Sequence, residues 1–542
     1  LLQCRVMVYV GLGSLLVGGF PQPCPPSCQC YDVSKVFCSE ERMQEIPVGL
    51  PGNATQLFFM ETALSSLHRG ALGSSTTLAK LVFLNNNIQA LEAGTFQGLP
   101  NLTELEVSGN LALSFVSPGF LAGLPRLSKL SLGSNAIRSL KPGIFGAVGS
   151  LQDLHLRRNK IEVLPPEIFR PLRHLQTLDL SQNIMTELPP GLFAPLTSLR
   201  VLKLSDNLLA WLPSWAFSSL GHLVELHLGG NRLRALPHGV FTSLRGLRRL
   251  QLQHNALGSL HPDVFSSLPN LTSLSLEGNR LAALPGTLFW GTPRLLDLSL
   301  ARNCLETVPE GVFANLSEVQ TLALSHNSLS HLPTGAFQGL SSLTALRLSH
   351  NNLSSLVPGL LEGLPSLVVL ALEHNRLPRL PPGLFDTNEE LARVGLAGNP
   401  WVCDCRLAYL LGWLREFADP LAHALASCAE PAPVKGRSLL KAAGQWLPCQ
   451  REPVPEKEEK EEEDDDDAEE EEVPGPCTYS DAEGSVQAAC NTAGCRQLSL
   501  RLPKAAAVGL PFQGAWVLRS SCGALHVSVS IAAPHGEEPV GP

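Results

Sequence analysis

Most marks of an enzyme are missing from this 542-residue sequence. It holds neither H-E-x-x-H nor a P-loop, and no convincing nucleophile elbow, so those motif-borne chemistries have nothing to rest on. No apolar run after Phe20 approaches transmembrane length, and the final stretch, SIAAPHGEEPVGP, has no anchoring tail. Positive charge is also scarce. The formal net charge is −9, but residues 456–472 alone hold 14 acidic side chains against two lysines, leaving the remainder near +3. That balance gives no nucleic-acid footprint. Hydrophobic residues make up 44% of the chain, so disorder is expected only in the acidic run.

What the sequence has in abundance is leucine at a fixed interval. Leu175, Leu178, Leu180, Asn183, Met185, Leu188 and Phe193 fill the template L-x-x-L-x-L-x-x-N-x-L-x-x-L-x-x-x-x-F. The asparagine returns at Asn86, Asn110, Asn135, Asn159, Asn183, Asn207, Asn231, Asn255, Asn279, Asn303, Asn327, Asn351, Asn375 and Asn399, every 24 residues except for one step of 25. Such a period marks a leucine-rich-repeat solenoid. Leu178 and Leu180 alternate with Thr177 and Asp179, which predicts a short strand with one inward face. The asparagine, where the chain leaves the strand, can donate to and accept from backbone groups that the bend would strand. Phe169, Phe193, Phe217, Phe241, Phe265, Phe289, Phe313 and Phe337 predict a stacked aromatic spine, with Leu361 substituting once. The L-P-x-G turns before each argue against long convex helices. A degenerate first repeat keeps Leu57, Phe59, Leu64 and Leu67 but has Thr62 in place of asparagine.

The expected fold is therefore an α/β-type solenoid: a horseshoe with a parallel concave sheet, disulfide caps at both ends and a small β-rich C-terminal domain. Residues 1–22 read as a signal peptide, with 6–20 as its apolar core, and imply a secreted chain. Residues 23–52 hold Cys24, Cys28, Cys30 and Cys38. In an oxidising compartment these suit a disulfide-stapled cap over the open end of the repeats, rather than a zinc site. Repeats occupy 53–398. A second cysteine-rich cap spans 399–450, with Cys403, Cys405, Cys428 and Cys449 and a helix expected over 407–417. The acidic linker covers 451–475. Residues 476–542 form the small domain, with strands expected at 485–489, 497–502, 516–519 and 525–531 and disulfides among Cys477, Cys490, Cys495 and Cys522. Cys304 shows no partner by spacing and is expected to be a free thiol, an intermolecular bond being the rival reading. The spacing at both ends resembles the flanking modules of extracellular leucine-rich-repeat proteins. At the C-terminal end, N-P-W-x-C-D-C implies pairing of Cys403 with Cys428 and Cys405 with Cys449; spacing alone allows three connectivities.

Candidate sites are those of a binding protein. Sequons at Asn53, Asn101, Asn270, Asn315 and Asn352 are expected glycan sites. His222-Leu-Val-Glu225 matches a zinc carboxypeptidase ligand pair, with His227 nearby, but the repeat template explains all three. His326, His350 and His374 share one template slot and would stack about 4.8 Å apart, either as a metal ladder or as ordinary filling of that slot. No catalytic residue, metal site or cofactor is assigned. The concave positions of the middle repeats are charged and mixed, and His155, Arg157, Arg158, Asp179, Lys203, Asp206, Glu225, His227, Arg249 and His254 are the expected partner contacts.

The tail motifs CTYSDAEGSVQAAC, CRQLSL and LRSSCGALHVSVSI, with NPWVCDCRLAYLLGWL, resemble the family of non-catalytic regulatory subunits of carboxypeptidase N. The acidic run departs from that pattern. The resemblance implies a glycosylated plasma protein that binds and stabilises a catalytic subunit, a zinc carboxypeptidase removing C-terminal Arg or Lys, with two copies of each subunit in the assembly. No partner in membrane or nucleic acid is expected. The alternative is an extracellular leucine-rich-repeat ligand binder or matrix protein.

Overall fold

The computed structural model describes residues 24–32, 34–416 and 425–442, together with the backbone of five strands between 477 and 531. The expected signal peptide and acidic linker lie outside those residues. The chain divides into two compact units, residues 1–449 and 450–542.

In the first unit each repeat contributes one strand to a 17-stranded sheet. The strand Cys28–Asp32 pairs antiparallel with Lys35–Cys38; parallel pairing then continues, repeat by repeat, to Arg393–Gly395. The 24-residue period fixes the register: Leu154, Leu178, Leu202 and Leu226 lie side by side, all buried. A one-residue slip would turn this row outward. Burial of each leucine stabilises the stack by roughly 1.5–3 kcal/mol, provided a neighbouring repeat covers it. The degenerate first repeat fits the same core, with Leu57, Phe59, Leu64 and Leu67 buried.

The asparagines form a continuous ladder. Asn183 donates through Nδ2 to the carbonyls of Leu156 and Leu180, both at 3.0 Å, and its Oδ1 accepts from the amide of Ile161 at 3.0 Å. This three-point pattern repeats from Asn159 through Asn399. The extra residue before Asn135 is absorbed locally, where Asn135 Oδ1 takes the amide of Asn110 itself. At the start, the Thr62 hydroxyl donates to Asn86 Oδ1, so the substituted position still feeds the ladder.

Behind the sheet the phenylalanines stack, with ring centroids 6.5, 6.4, 6.3, 6.4 and 5.9 Å apart from Phe193 to Phe313. Leu361 fills its slot in the spine and is buried. Turns cover the convex side, and among the described residues the repeats contain one short 3-10 turn, Thr334–Phe337.

Both ends are closed by disulfides, Cys24–Cys30 and Cys28–Cys38 at one and Cys403–Cys428 at the other. Cys405 is also disulfide-bonded; Cys449 lies outside the described residues. Helix α1, Ala408–Glu416, buries Leu410, Leu411, Trp413 and Leu414 over the open core. Tyr409 rivets it to the last repeat: its hydroxyl donates to Asp386 Oδ1 at 2.9 Å and accepts from the Phe385 amide at 2.8 Å. Trp401 is fully buried and donates Nε1–H to the Leu396 carbonyl. The expectation of a free thiol at Cys304 is wrong: it is buried and disulfide-bonded. Spacing along a solenoid cannot show which distant cysteine comes within bonding reach.

In the second unit, Cys477–Ala482, Ser485–Thr492 and Cys495–Pro503 form an antiparallel meander, and Phe512–Ser520 pairs with Gly523–Ile531. The four expected strands are all present, longer than the alternation alone suggests. Register sets Cys477 opposite Cys490; Cys522 lies outside the described residues.

Candidate binding surface

Parallel register gathers the concave side chains into columns. One runs Glu225 to Arg249; the next runs His155, Asp179, Lys203 and His227. Two ionic clusters result. Asp179 is buried and accepts hydrogen bonds from the Ser181 hydroxyl and amide, with His155 Nδ1 4.0 Å away. Burial pushes its carboxyl up, but His155, Ser181 and Lys203 together outweigh it and hold the group at about 2. In the second cluster Glu225 lies 3.1 Å from His227 and 3.3 Å from Arg249, while His227 Nδ1 meets Gln251 Oε1 at 2.6 Å. Six of the ten expected contacts therefore form two fixed groups. Asp179, within one of them, positions its neighbours instead of facing out.

The other four, Arg157, Arg158, Asp206 and His254, lie beyond the strands, in the turn before the ladder asparagine. Arg158, Asp206 and His254 take left-handed backbone with φ of 54°, 55° and 54°. The Asp206 and His254 side chains lean toward the next repeat. Asp206 fills the space above Gly230 and His254 that above Gly278, where a Cβ would collide.

His326, His350 and His374 occupy this same turn slot. Their rings stack at 4.1 and 4.3 Å with interplanar angles of 8° and 14°. Parallel rings send their nitrogen lone pairs side by side instead of toward one point, which is packing geometry and not chelation. Among the described residues no cluster of three His, Cys, Asp or Glu side chains is arranged to hold a metal.

A second, intermittent ladder runs along the flank where the chain enters the sheet. Asn101 donates to the Thr76 carbonyl at 2.7 Å, Ser150 to Pro125 at 2.8 Å, His222 to Thr197 at 2.9 Å and Asn270 to Arg245 at 2.9 Å, each 25 residues back. His222 is thereby committed to this flank, while Glu225 is tied into the concave cluster, so the two do not act as a ligand pair. Two sequon asparagines sit in these bonds through one amide hydrogen, which leaves the other for a sugar. Asn315 similarly donates to the Trp290 carbonyl; Asn53 and Asn352 are exposed. The sequence reading missed the exposed Trp211, Trp215 and Trp290, because the convex slots they fill follow no apolar rule.

The Leucine rich repeat family matches residues 55–111, 76–137, 101–161, 149–209, 221–281, 269–329, 317–377 and 346–400, together more than half of the chain. Carboxypeptidase N subunit 2 of Homo sapiens is 43% identical over 159 residues, 27% of this chain and 29% of that protein. Its Mus musculus counterpart is 41% identical over 163 residues, 28% and 30% of the two chains. The chain thus aligns with less than a third of the length of these curated relatives. Among solved structures, a leucine-rich-repeat protein of Leptospira interrogans is 28% identical with a TM-score of 0.60, covering 71% of this chain and 94% of that one. A chain of the Drosophila Toll–Spatzle complex is 25% identical with a TM-score of 0.58, covering 72% and 60%. With repeats matched from residue 55 to residue 400, and a fold those structures share, this chain belongs to the leucine rich repeat family.

Proposed function

We propose that this protein is a secreted, non-catalytic subunit that binds and stabilises the catalytic subunit of carboxypeptidase N, in an assembly with two copies of each chain. The observation that carries the reading is the 43% identity with carboxypeptidase N subunit 2. The architecture supports it: a rigid concave sheet with fixed charge clusters offers recognition without an enzyme's convergent chemistry. His155, Lys203, Glu225, His227 and Arg249 are the proposed contacts, with Arg157, Arg158, Asp206 and His254 at the rim. Glycans at Asn53, Asn101, Asn270, Asn315 and Asn352 would leave that face open. Among the described residues no helix is long and apolar enough to cross a membrane, which is compatible with a plasma protein.

Light scattering after size exclusion, on this chain alone and mixed with the catalytic subunit, tests the proposal. A co-eluting complex with a lengthened thermal half-life of the enzyme supports it. Two separate peaks from folded components reject it. In that case the reading becomes an extracellular ligand binder, which the 34% identity over 118 residues with Reticulon-4 receptor-like 2 of Homo sapiens favours.

A further inference from the structure

The flank where the chain enters the sheet carries a row of basic side chains, five of them arginines, that the concave-face proposal leaves unused. Arg170, Arg173, Arg200, His222, Arg245 and Arg248 are exposed and belong to four consecutive repeats. Their strands are direct neighbours, so the row advances about 4.8 Å per repeat. Two hollows open on this flank. One, about 630 Å³, is lined by Arg170, Arg173 and Thr197 among others; the next, about 410 Å³, by Gln176, Ser198, Arg200 and His222. The Thr197 carbonyl joins them by accepting from His222 Nδ1 at 2.9 Å, which leaves the ring's Nε2 for an outside partner.

The arginines have little to neutralise them. Glu167 lines the first hollow and lies 3.5 Å from Arg170. Among the described residues, Arg173, Arg200, Arg245 and Arg248 form no ion pair. Repeats spaced this closely fall within the Debye length of about 8 Å at physiological salt, so the repulsion along the row goes unrelieved until an anion arrives. Asn101 and Asn270, the two sequons in the flank's carbonyl-capping slot, bracket the row, and no repeat between them carries an asparagine there. Sugars at those sites would leave this stretch clear.

The shape of the row selects among anions. It is narrow and runs across the repeats, with Glu167 set into the lining of its first hollow, which does not suit a flat anionic membrane. Apart from His222 the hollows offer no ring for base stacking, so single-stranded nucleic acid lacks its platform. Guanidinium forks match sulfate and carboxylate oxygens in pairs. We propose that this flank binds a linear sulfated polysaccharide of the glycosaminoglycan class, laid across the repeats from Arg170 to Arg248. The proposal stands independently of the enzyme-partner reading.

The test titrates the full chain with a heparin oligosaccharide at about 0.15 M salt. The variant Arg173→Gln/Arg200→Gln/Arg248→Gln should lose at least about ten-fold in affinity. A control with the same charge change on the opposite flank, Arg232→Gln/Arg234→Gln/Arg280→Gln, should stay within about two-fold. Melting curves accompany each variant; if the first triple is less stable, the single variants Arg200→Gln and Arg248→Gln are compared instead. Failure of the unaltered chain to bind, or equal losses in both triples, overturns the proposal. So does displacement of the oligosaccharide by an equal concentration of poly-glutamate, which would make the row a site for acidic polypeptide.

Discussion

Replacing one ladder asparagine tests the account of the fold most directly, and Asn231→Ala is the cleanest case. Asn231 is buried, and its Nδ2 donates to the carbonyls of Leu204 at 2.9 Å and Leu228 at 3.0 Å, while Oδ1 accepts from the Leu209 amide at 3.1 Å. Alanine removes all three bonds and leaves the Leu209 N–H without a partner beside a fully buried side chain. An orphaned buried donor costs about 1–3 kcal/mol, and the under-satisfied carbonyls bring the expected total to about 3 kcal/mol. A repeat array need not unfold in one step, so a global melting temperature would blur the effect. Hydrogen exchange resolved to peptides is the better assay. At 1.4 kcal/mol per factor of ten, amides within residues 201–234 should exchange about 100-fold faster, while repeats beyond Asn303 change little. The neighbouring Arg232→Ala is exposed and serves as control, with a change below about 0.5 kcal/mol. Equal protection in the two variants would falsify the ladder as a source of stability.

Three further outcomes are expected. Asp179 has a folded value near 2, below its unfolded one, so its contribution of about 2 kcal/mol is complete above about pH 4 and fades as pH falls toward 2; urea midpoints at pH 7 and pH 3 should converge for Asp179→Asn relative to the unaltered chain. Burial first, then the Asp386 carboxylate, push the Tyr409 hydroxyl up to about 12 against the pull of the Phe385 amide. Tyr409→Phe should therefore remove about 1 kcal/mol from the C-terminal cap, read as faster proteolysis within Ala408–Glu416, and unchanged cleavage would exclude the rivet. His326 titrates below the ordinary imidazole range through burial and through repulsion from His350 and Arg302, which Glu277 partly opposes; NMR titration of His350→Ala should move it upward, and a static value would break the link between stacking and charge.

The concave face was only half legible beforehand. Period-two alternation correctly turned Lys203, Glu225 and Arg249 away from the core, because parallel register follows from the 24-residue spacing. It could not say that Asp179 would be buried against Ser181, since that depends on how the Ser181 hydroxyl and the His155 ring of the adjacent strand turn toward one carboxylate. The slot shared by His326, His350 and His374 was visible as a repeat position, yet the choice between chelation and stacking rested on ring orientation. Cys304 misled for a similar reason: a disulfide is decided by approach in space.

By itself the sequence determined the solenoid, its register, its asparagine ladder, its phenylalanine spine and the need for capped ends. Each repeat meets the same few neighbours, so one periodic pattern carries the whole local argument. Only the tertiary structure decided what the surface columns became. Residues 24 or 25 apart in sequence lie one strand apart in space, and whether they pair, stack or repel depends on side-chain directions that no period encodes. The Glu225–His227–Arg249 cluster, the stacked histidines and the unneutralised arginine flank all arise at that level.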